Sequence, residues 1–390
     1  LVGSEMSYSV LVVDDSRFFR KHLSAIIDSN AAFKVVGCAE NGIEAIAMAE
    51  KLHPDIITMD YEMPCMDGVT AVRHIMRDNP TPILMLSSLT YEGARVTFDA
   101  FEAGALDFLP KKFDQIATHD NRISEEIHER LLGVLDKMVR KQGGGAKVAV
   151  APSPVIEPVR SATHASTATH GSTVAPVATS AHRHAPAGVA QANVVPRAAV
   201  AAPCRLVVLA ASTGGPMAIA EVLKGLPANF SFPIVVVQHM PALFTREFSE
   251  RLDRVSALKI KEAEEGDKLQ AGVVFVAPGG KQLLFADERS PCITLREEKD
   301  DRILYQPSVD ITLASAATFF QGSVLAVVMT GMGEDGCRGA RMLKDKGSRV
   351  WTQDEPSCVV YGMPGAVSQK GLSDRTVALQ EIGRELSKLR

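Results

Sequence analysis

Ser9-Val10-Leu11-Val12-Val13-Asp14-Asp15-Ser16 is an unbroken apolar run that ends abruptly in two carboxylates and a serine. Four consecutive aliphatic residues without alternation suit a strand covered on both faces, as in a parallel sheet. An amphipathic helical stretch follows from Ser16 to Ser29, and the alternation then repeats. Strand-like runs occupy Phe33–Ala39, Asp55–Met59, Ile83–Leu86 and Ala105–Leu109. Helical patterns occupy Asn41–Lys51, Val69–Arg77, Gly93–Ala103 and Arg122–Val139. Five strands alternating with five helices predict an α/β domain with a doubly wound parallel sheet. In such a sheet, sites form at the carboxyl ends of the strands.

Downstream the pattern breaks and then resumes. Between Gly143 and Pro203 there is no aromatic residue, no Leu and no Met. That stretch cannot bury enough apolar surface to offset the entropy of ordering, so residues 141–203 read as a flexible Ala/Pro/Ser/Thr-rich linker. Beyond it, apolar runs at Arg205–Ala210, Pro233–Val237, Val273–Ala277, Val324–Met329 and Arg349–Trp351 predict a second α/β domain. Helical patterns such as Met217–Leu223 and Arg338–Lys346 follow most of them. The expected organisation is therefore a first domain over 6–125, a helical extension over 126–140, the linker, and a second domain over 204–390.

Composition agrees with this division. The chain has 390 residues, 46% hydrophobic and 23% charged, with formal net charge −4. By segment the net charge is −8 over 1–140, +4 over 141–202 and zero over 203–390. This balance argues against a nucleic-acid-coating or polybasic membrane protein. No run approaches eighteen apolar residues, and Leu1–Ser9 lacks the pattern of a signal peptide, so neither membrane insertion nor secretion is expected. None of the six cysteines forms a CxxC or sits at zinc-ligand spacing from a His. They are expected to be buried free thiols in a reducing cytoplasm.

Two sets of polar residues sit where sites form. Asp14 and Asp15 follow the first strand, and Asp60 follows Ile56-Ile57-Thr58-Met59. Three converging carboxylates would raise one another's pKa, and a hard cation such as Mg²⁺ relieves this. With Ser87 after the fourth strand and Lys111 after the fifth, the set suits phosphoryl transfer to Asp60. Each Asp alone would equally suit a helix cap or turn. In the second domain, Ser212 lies in Ala210-Ala211-Ser212-Thr213-Gly214-Gly215-Pro216, between a strand and a helix. Such a turn can hold a phosphate on backbone amides or present a nucleophilic serine. His239 is the only histidine between 203 and 390, and it stands just past a strand end. The loop Thr330-Gly331-Met332-Gly333-Glu334-Asp335-Gly336 supplies an acid, for which Asp335 is preferred over Glu334 because Gly336 follows it into the next helix. Ser, His and Asp at three strand ends fit the logic of a triad, although their order matches no familiar hydrolase. A nucleotide-binding module is disfavoured by the missing Walker lysine, and a transcription factor by the absence of a basic recognition helix.

The motifs also carry a resemblance. Leu11-Val12-Val13-Asp14-Asp15-Ser16 and Met59-Asp60-Tyr61-Glu62-Met63-Pro64-Cys65-Met66-Asp67-Gly68 resemble a response-regulator receiver domain, which is flavodoxin-like. The resemblance implies Asp60 as phospho-acceptor. It implies Mg²⁺ held by Asp14, Asp15, Asp60 and the Tyr61 carbonyl, with Ser87, Phe108 and Lys111 as the phosphorylation switch. Lys112 stands where that family usually has Pro. Residues 204–388 resemble the catalytic domain of chemotaxis protein-glutamate methylesterases (CheB-like proteins). The matching runs include Ala211–Pro216, Gln238-His239-Met240-Pro241, Ala277-Pro278-Gly279, Pro307-Ser308-Val309-Asp310, Thr330–Gly336 and Tyr361-Gly362-Met363-Pro364. This implies a Ser212–His239–Asp335 triad, with Thr213 and Met332 shaping the site and the Met332 N–H a candidate oxyanion donor. No cofactor is implied for the esterase step. Gln282 stands where the family often has His, which suggests a changed contact in the substrate groove. The expected function is phosphorylation-activated hydrolysis of glutamyl γ-methyl esters on methyl-accepting chemoreceptors, with glutamine deamidation as a second activity. The expected phosphodonor is a chemotaxis histidine kinase, and the expected setting is the cytoplasm.

Overall fold

The computed structural model describes residues 7–111, 121–141, 203–286, 291–300 and 302–389. Lys112 and residues 142–202 of the expected linker lie outside them. Strands β1 (Tyr8–Val13), β2 (Phe33–Ala39), β3 (Ile56–Asp60), β4 (Ile83–Ser87) and β5 (Asp107–Pro110) form a wholly parallel sheet in the order β2-β1-β3-β4-β5. Val10–Val13 are fully buried, as a strand covered on both faces requires. The chain reverses its direction of travel across the sheet between β1 and β3. The crevice at their carboxyl ends is therefore the place for a site. The helix Arg17–Asp28 begins there, capped by the Ser16 hydroxyl, which accepts from Phe19 N–H. The helix Asn121–Lys141 runs continuously through residue 125, and its Ile123, Ile127, Leu131, Val134 and Leu135 join the core under β1.

The second sheet comprises β6 (Leu206–Ala211), β7 (Ile234–Gln238), β8 (Lys259–Glu262), β9 (Val273–Val276), β12 (Val324–Val328), β13 (Arg349–Gln353) and β14 (Arg375–Val377). Their order is β14-β13-β12-β6-β7-β9-β8, again wholly parallel. The switch point lies between β6 and β12. An antiparallel hairpin of β10 (Gln282–Ala286) and β11 (Cys292–Arg296) stands apart from this sheet. Three cysteines depart from expectation: all six are free, but Cys38, on the edge strand β2, and Cys65, in the loop after β3, are exposed, and Cys292, on the hairpin, is half-buried.

The two sheets belong to one compact unit. The helix Ala242–Val255 presents Phe244, Phe248 and Arg251, spaced four and three residues apart and hence on one face. The Phe244 ring stacks on Phe108 with centroids 4.5 Å apart, and Phe248 stacks on Phe98 at 5.5 Å. Arg251 bridges Asp99 and Glu102 of the helix Tyr91–Ala103, at 2.8 Å to each. The Tyr91 hydroxyl donates to Glu250 at 3.1 Å. No helix among the described residues is long and apolar enough to cross a membrane.

Candidate functional site

The first switch point gathers three carboxylates. Asp14, Asp15 and Asp60 offer oxygens that all lie within 4.8 Å of one another. The Lys111 ammonium stands 2.6 Å from Asp14 and 2.7 Å from Asp60. Burial pushes Asp60 up to about 6, against the pull of Lys111, and pushes Asp14 up in the same way. One ammonium against three carboxylates, of which Asp14 and Asp60 are buried and Asp15 is exposed, leaves an excess of negative charge, and a divalent cation with oxygen preference fits that donor set. The Tyr61 carbonyl, the further ligand expected for the cation, accepts the Gly68 N–H at 2.9 Å, which orients it and leaves its second lone pair free. Gly68 itself must be glycine, since a Cβ there would stand 2.0 Å from the Asp60 carbonyl oxygen. The Ser87 hydroxyl donates to the Gly93 carbonyl at 3.1 Å. Phe108 lies in the stack with Phe244.

The second switch point gathers the other set. Ser212 follows β6, and its backbone is held on three sides. Its N–H donates to Thr330, and its carbonyl accepts from Gly215 N–H and Gln238 Nε2, at 2.8–3.0 Å. Gly214 takes a left-handed φ of 74° to start the helix Gly215–Lys224 behind it. His239 leaves the next strand, and its Nε2 lies 2.8 Å from Asp335 Oδ2. Asp335 also accepts from the amides of Val309, Asp310 and Gly336 and from the Ser308 hydroxyl. Burial alone would raise its pKa. The His239 hydrogen bond, the His239 charge and the amides of Asp310 and Val309 outweigh burial and hold it below the usual carboxylate range. Glu334, by contrast, is exposed and pairs with Lys370. With Nε2–H committed to Asp335, His239 Nδ1 is the nitrogen left with a lone pair. It is buried without a hydrogen-bond partner. Ser212 Oγ makes no hydrogen bond to a described residue.

The chain matches the CheB methylesterase family over residues 207–386 and the response regulator receiver domain over residues 10–121. It is 46% identical over 384 residues to protein-glutamate methylesterase/protein-glutamine glutaminase 1 of Saccharophagus degradans, covering 98% of this chain and 99% of that one. It is 48% identical over 381 residues to the group 1 operon protein of the same name from Pseudomonas putida, again covering 98% and 99%. The chain belongs to the protein-glutamate methylesterase/protein-glutamine glutaminase family.

Within this family member, several residues around the second site carry no signal in the sequence. Thr213, expected to shape the esterase site, donates its hydroxyl to Asp107 of the first lobe at 2.7 Å. The same Asp107 oxygen accepts from Arg130 at 2.9 Å. Gly133 of the helix Asn121–Lys141 packs over the catalytic loop: a Cβ there would stand 3.5 Å from Met332 Sδ and 3.3 Å from Val360. No motif spacing signals a contact between residues 106 positions apart. Gln282 corrects an expectation outright. It is fully buried rather than groove-lining, because its amide bridges the Tyr305 carbonyl and the Ser308 N–H.

Proposed function

We propose that this chain is a phosphorylation-activated esterase. It hydrolyses glutamyl γ-methyl esters on the cytoplasmic helices of methyl-accepting chemoreceptors, releases methanol, and deamidates receptor glutamines. The observation that carries the reading is the 2.8 Å His239–Asp335 hydrogen bond beside Ser212 at the switch point of the second sheet. Ser212 Oγ attacks the ester carbonyl, and His239 accepts its proton at Nδ1. Asp335 holds the imidazole as the Nε2–H tautomer and stabilises the imidazolium. His239 then returns the proton to the leaving methoxide, and water cleaves the acyl-enzyme by the same steps in reverse. The Met332 N–H is the proposed oxyanion donor, with Thr213 next to the nucleophile shaping the site. A single such donor is worth about 3–4 kcal/mol in a well-formed site.

The receiver controls this chemistry. Asp60 accepts the phosphoryl group from a chemotaxis histidine kinase. Asp14, Asp15 and Asp60 are the residues that would hold Mg²⁺, which supplies charge neutralisation for the transfer. Ser87, Lys111 and Phe108 form the switch. In the resting arrangement, Asp107 engages the hydroxyl of Thr213, next to the nucleophile, while Arg251, Phe244 and Phe248 clasp the helix Tyr91–Ala103. The receiver thereby obstructs the esterase site.

Methanol release from methylated receptor membranes tests both halves. Arg251→Glu sets a third carboxylate against Asp99 and Glu102. It should raise the unphosphorylated rate severalfold to tenfold, tenfold corresponding to about 1.4 kcal/mol between docked and open states. An Arg251→Glu rate at or below the resting wild-type rate would overturn obstruction. A wild type inert with phosphodonor would overturn the esterase reading.

A further inference from the structure

We infer that Tyr305 and Gln282 are positioning residues for the His239 imidazole, the aromatic ring acting as a plate over it and the buried amide as the bolt that holds the plate. The inference rests on the proposed role of His239 as base. The Tyr305 ring lies parallel to the imidazole, centroids 3.9 Å apart and planes 4° from parallel. Hydrogen bonding to Asp335 fixes only one ring atom, Nε2. About that point the ring can still tilt, and Nδ1 would swing away from the nucleophile. A flat neighbour against one face removes the tilt.

The plate and the carboxylate cradle are one piece of chain. Ser308, Val309 and Asp310, just after Tyr305, supply the hydroxyl and two amides that hold Asp335. Gln282, the first residue of β10, bridges both parts. Its Nε2 donates to the Tyr305 carbonyl at 2.8 Å, and its Oε1 accepts from Ser308 N–H at 2.8 Å. A fully buried amide is tolerated because both ends are satisfied. The hairpin, remote from the reacting atoms, therefore sets the position of both groups that touch the imidazole.

The test uses the full-length protein with phosphodonor, assayed for methanol release, and ¹⁵N NMR of the imidazoles. Tyr305→Phe keeps the plate and should retain kcat within about twofold. Tyr305→Leu removes it and should lower kcat about tenfold or more with KM changed less than about threefold. Gln282→Leu should behave like Tyr305→Leu. The double variant should fall no further than the worse single one, since both act through the same ring. The spectra should report an Nε2–H tautomer for His239 in wild type and in Tyr305→Phe, with its signals broadened in Tyr305→Leu. This arm needs no turnover, so it still judges the positioning when the esterase reading itself fails. Tyr305 is only half-buried, so its Leu variant carries the test if Gln282→Leu does not fold. An unchanged kcat in Tyr305→Leu, a loss confined to KM, a Phe variant as poor as the Leu variant, or unbroadened signals would each overturn the inference.

Discussion

Ser212→Ala leaves a folded protein whose methanol release falls by several orders of magnitude. The fold survives because Ser212 is held by its backbone, through Thr330, Gly215 and Gln238, while its Oγ makes no hydrogen bond to a described residue. The activity does not, because on the proposed mechanism the Ser212 hydroxyl is the group that attacks the ester. Losing the nucleophile of a Ser-His-Asp triad costs on the order of 10⁶ in kcat. His239→Gln should be as severe. Asp335→Asn should be severe but less complete, on the order of 10⁴. With the asparagine oxygen in the place of Oδ1, it still accepts from the amides of Asp310 and Gly336, but the NH₂ in the place of Oδ2 leaves the Val309 N–H without its acceptor and, turned toward Nε2, favours the wrong tautomer. Initial rates on methylated receptor membranes, with thermal unfolding to verify the fold, decide the matter. A folded Ser212→Ala retaining more than a few per cent of the rate would place the nucleophile elsewhere, and an Asp335→Asn as fast as wild type would redirect attention to Asp310.

The difference between what was legible in the sequence and what was not follows from where each interaction is made. Strands buried on both faces are continuous apolar runs, so β1, β3, β4, β6, β7 and β12 could be read within a residue or two. The edge strands of the first sheet, Phe33–Ala39 and Asp107–Pro110, keep enough apolar residues to be read, but those of the second do not: Lys259–Glu262 is mostly charged and Arg375–Val377 has one apolar residue. The site residues were legible for a related reason: Asp14, Asp60, Ser212 and His239 interrupt apolar runs at the ends where parallel sheets open. Gln282 was misread because whether an amide faces a groove or a core depends on what packs on it. Here that is the Tyr305–Ser308 segment, more than twenty residues away in sequence. Asp107, at the start of β5, reads as an ordinary strand-edge acid until Thr213 of the other lobe is set against it.

Asp60→Asn in the full-length protein takes up no phosphate from a small phosphodonor and leaves methanol release at the resting rate whether or not the donor is present. The amide lacks the nucleophilic oxygen, and neither remaining carboxylate is a substitute: Asp14 is fully buried against Lys111, and Asp15 is turned outward at the rim. A chelator should abolish phosphorylation of wild type in the same way. The loss of response follows from the path between Asp60 and the docked surface. An acyl phosphate at Asp60 offers the Ser87 hydroxyl a strongly charged acceptor in place of the Gly93 carbonyl. Gly93 lies in the first turn of the helix that carries Phe98, Asp99 and Glu102 against Phe248 and Arg251. On the proposed switch, loosening that turn would weaken the clasp and release Phe108, on the strand after that helix, from its stack on Phe244. Combining Asp60→Asn with Arg251→Glu separates the two steps. The double variant should keep the raised rate of Arg251→Glu and ignore the donor, because it opens the interface without phosphate. Phosphate incorporated into Asp60→Asn would mean another acceptor, and a donor response surviving in the double variant would mean that activation does not pass through Asp60.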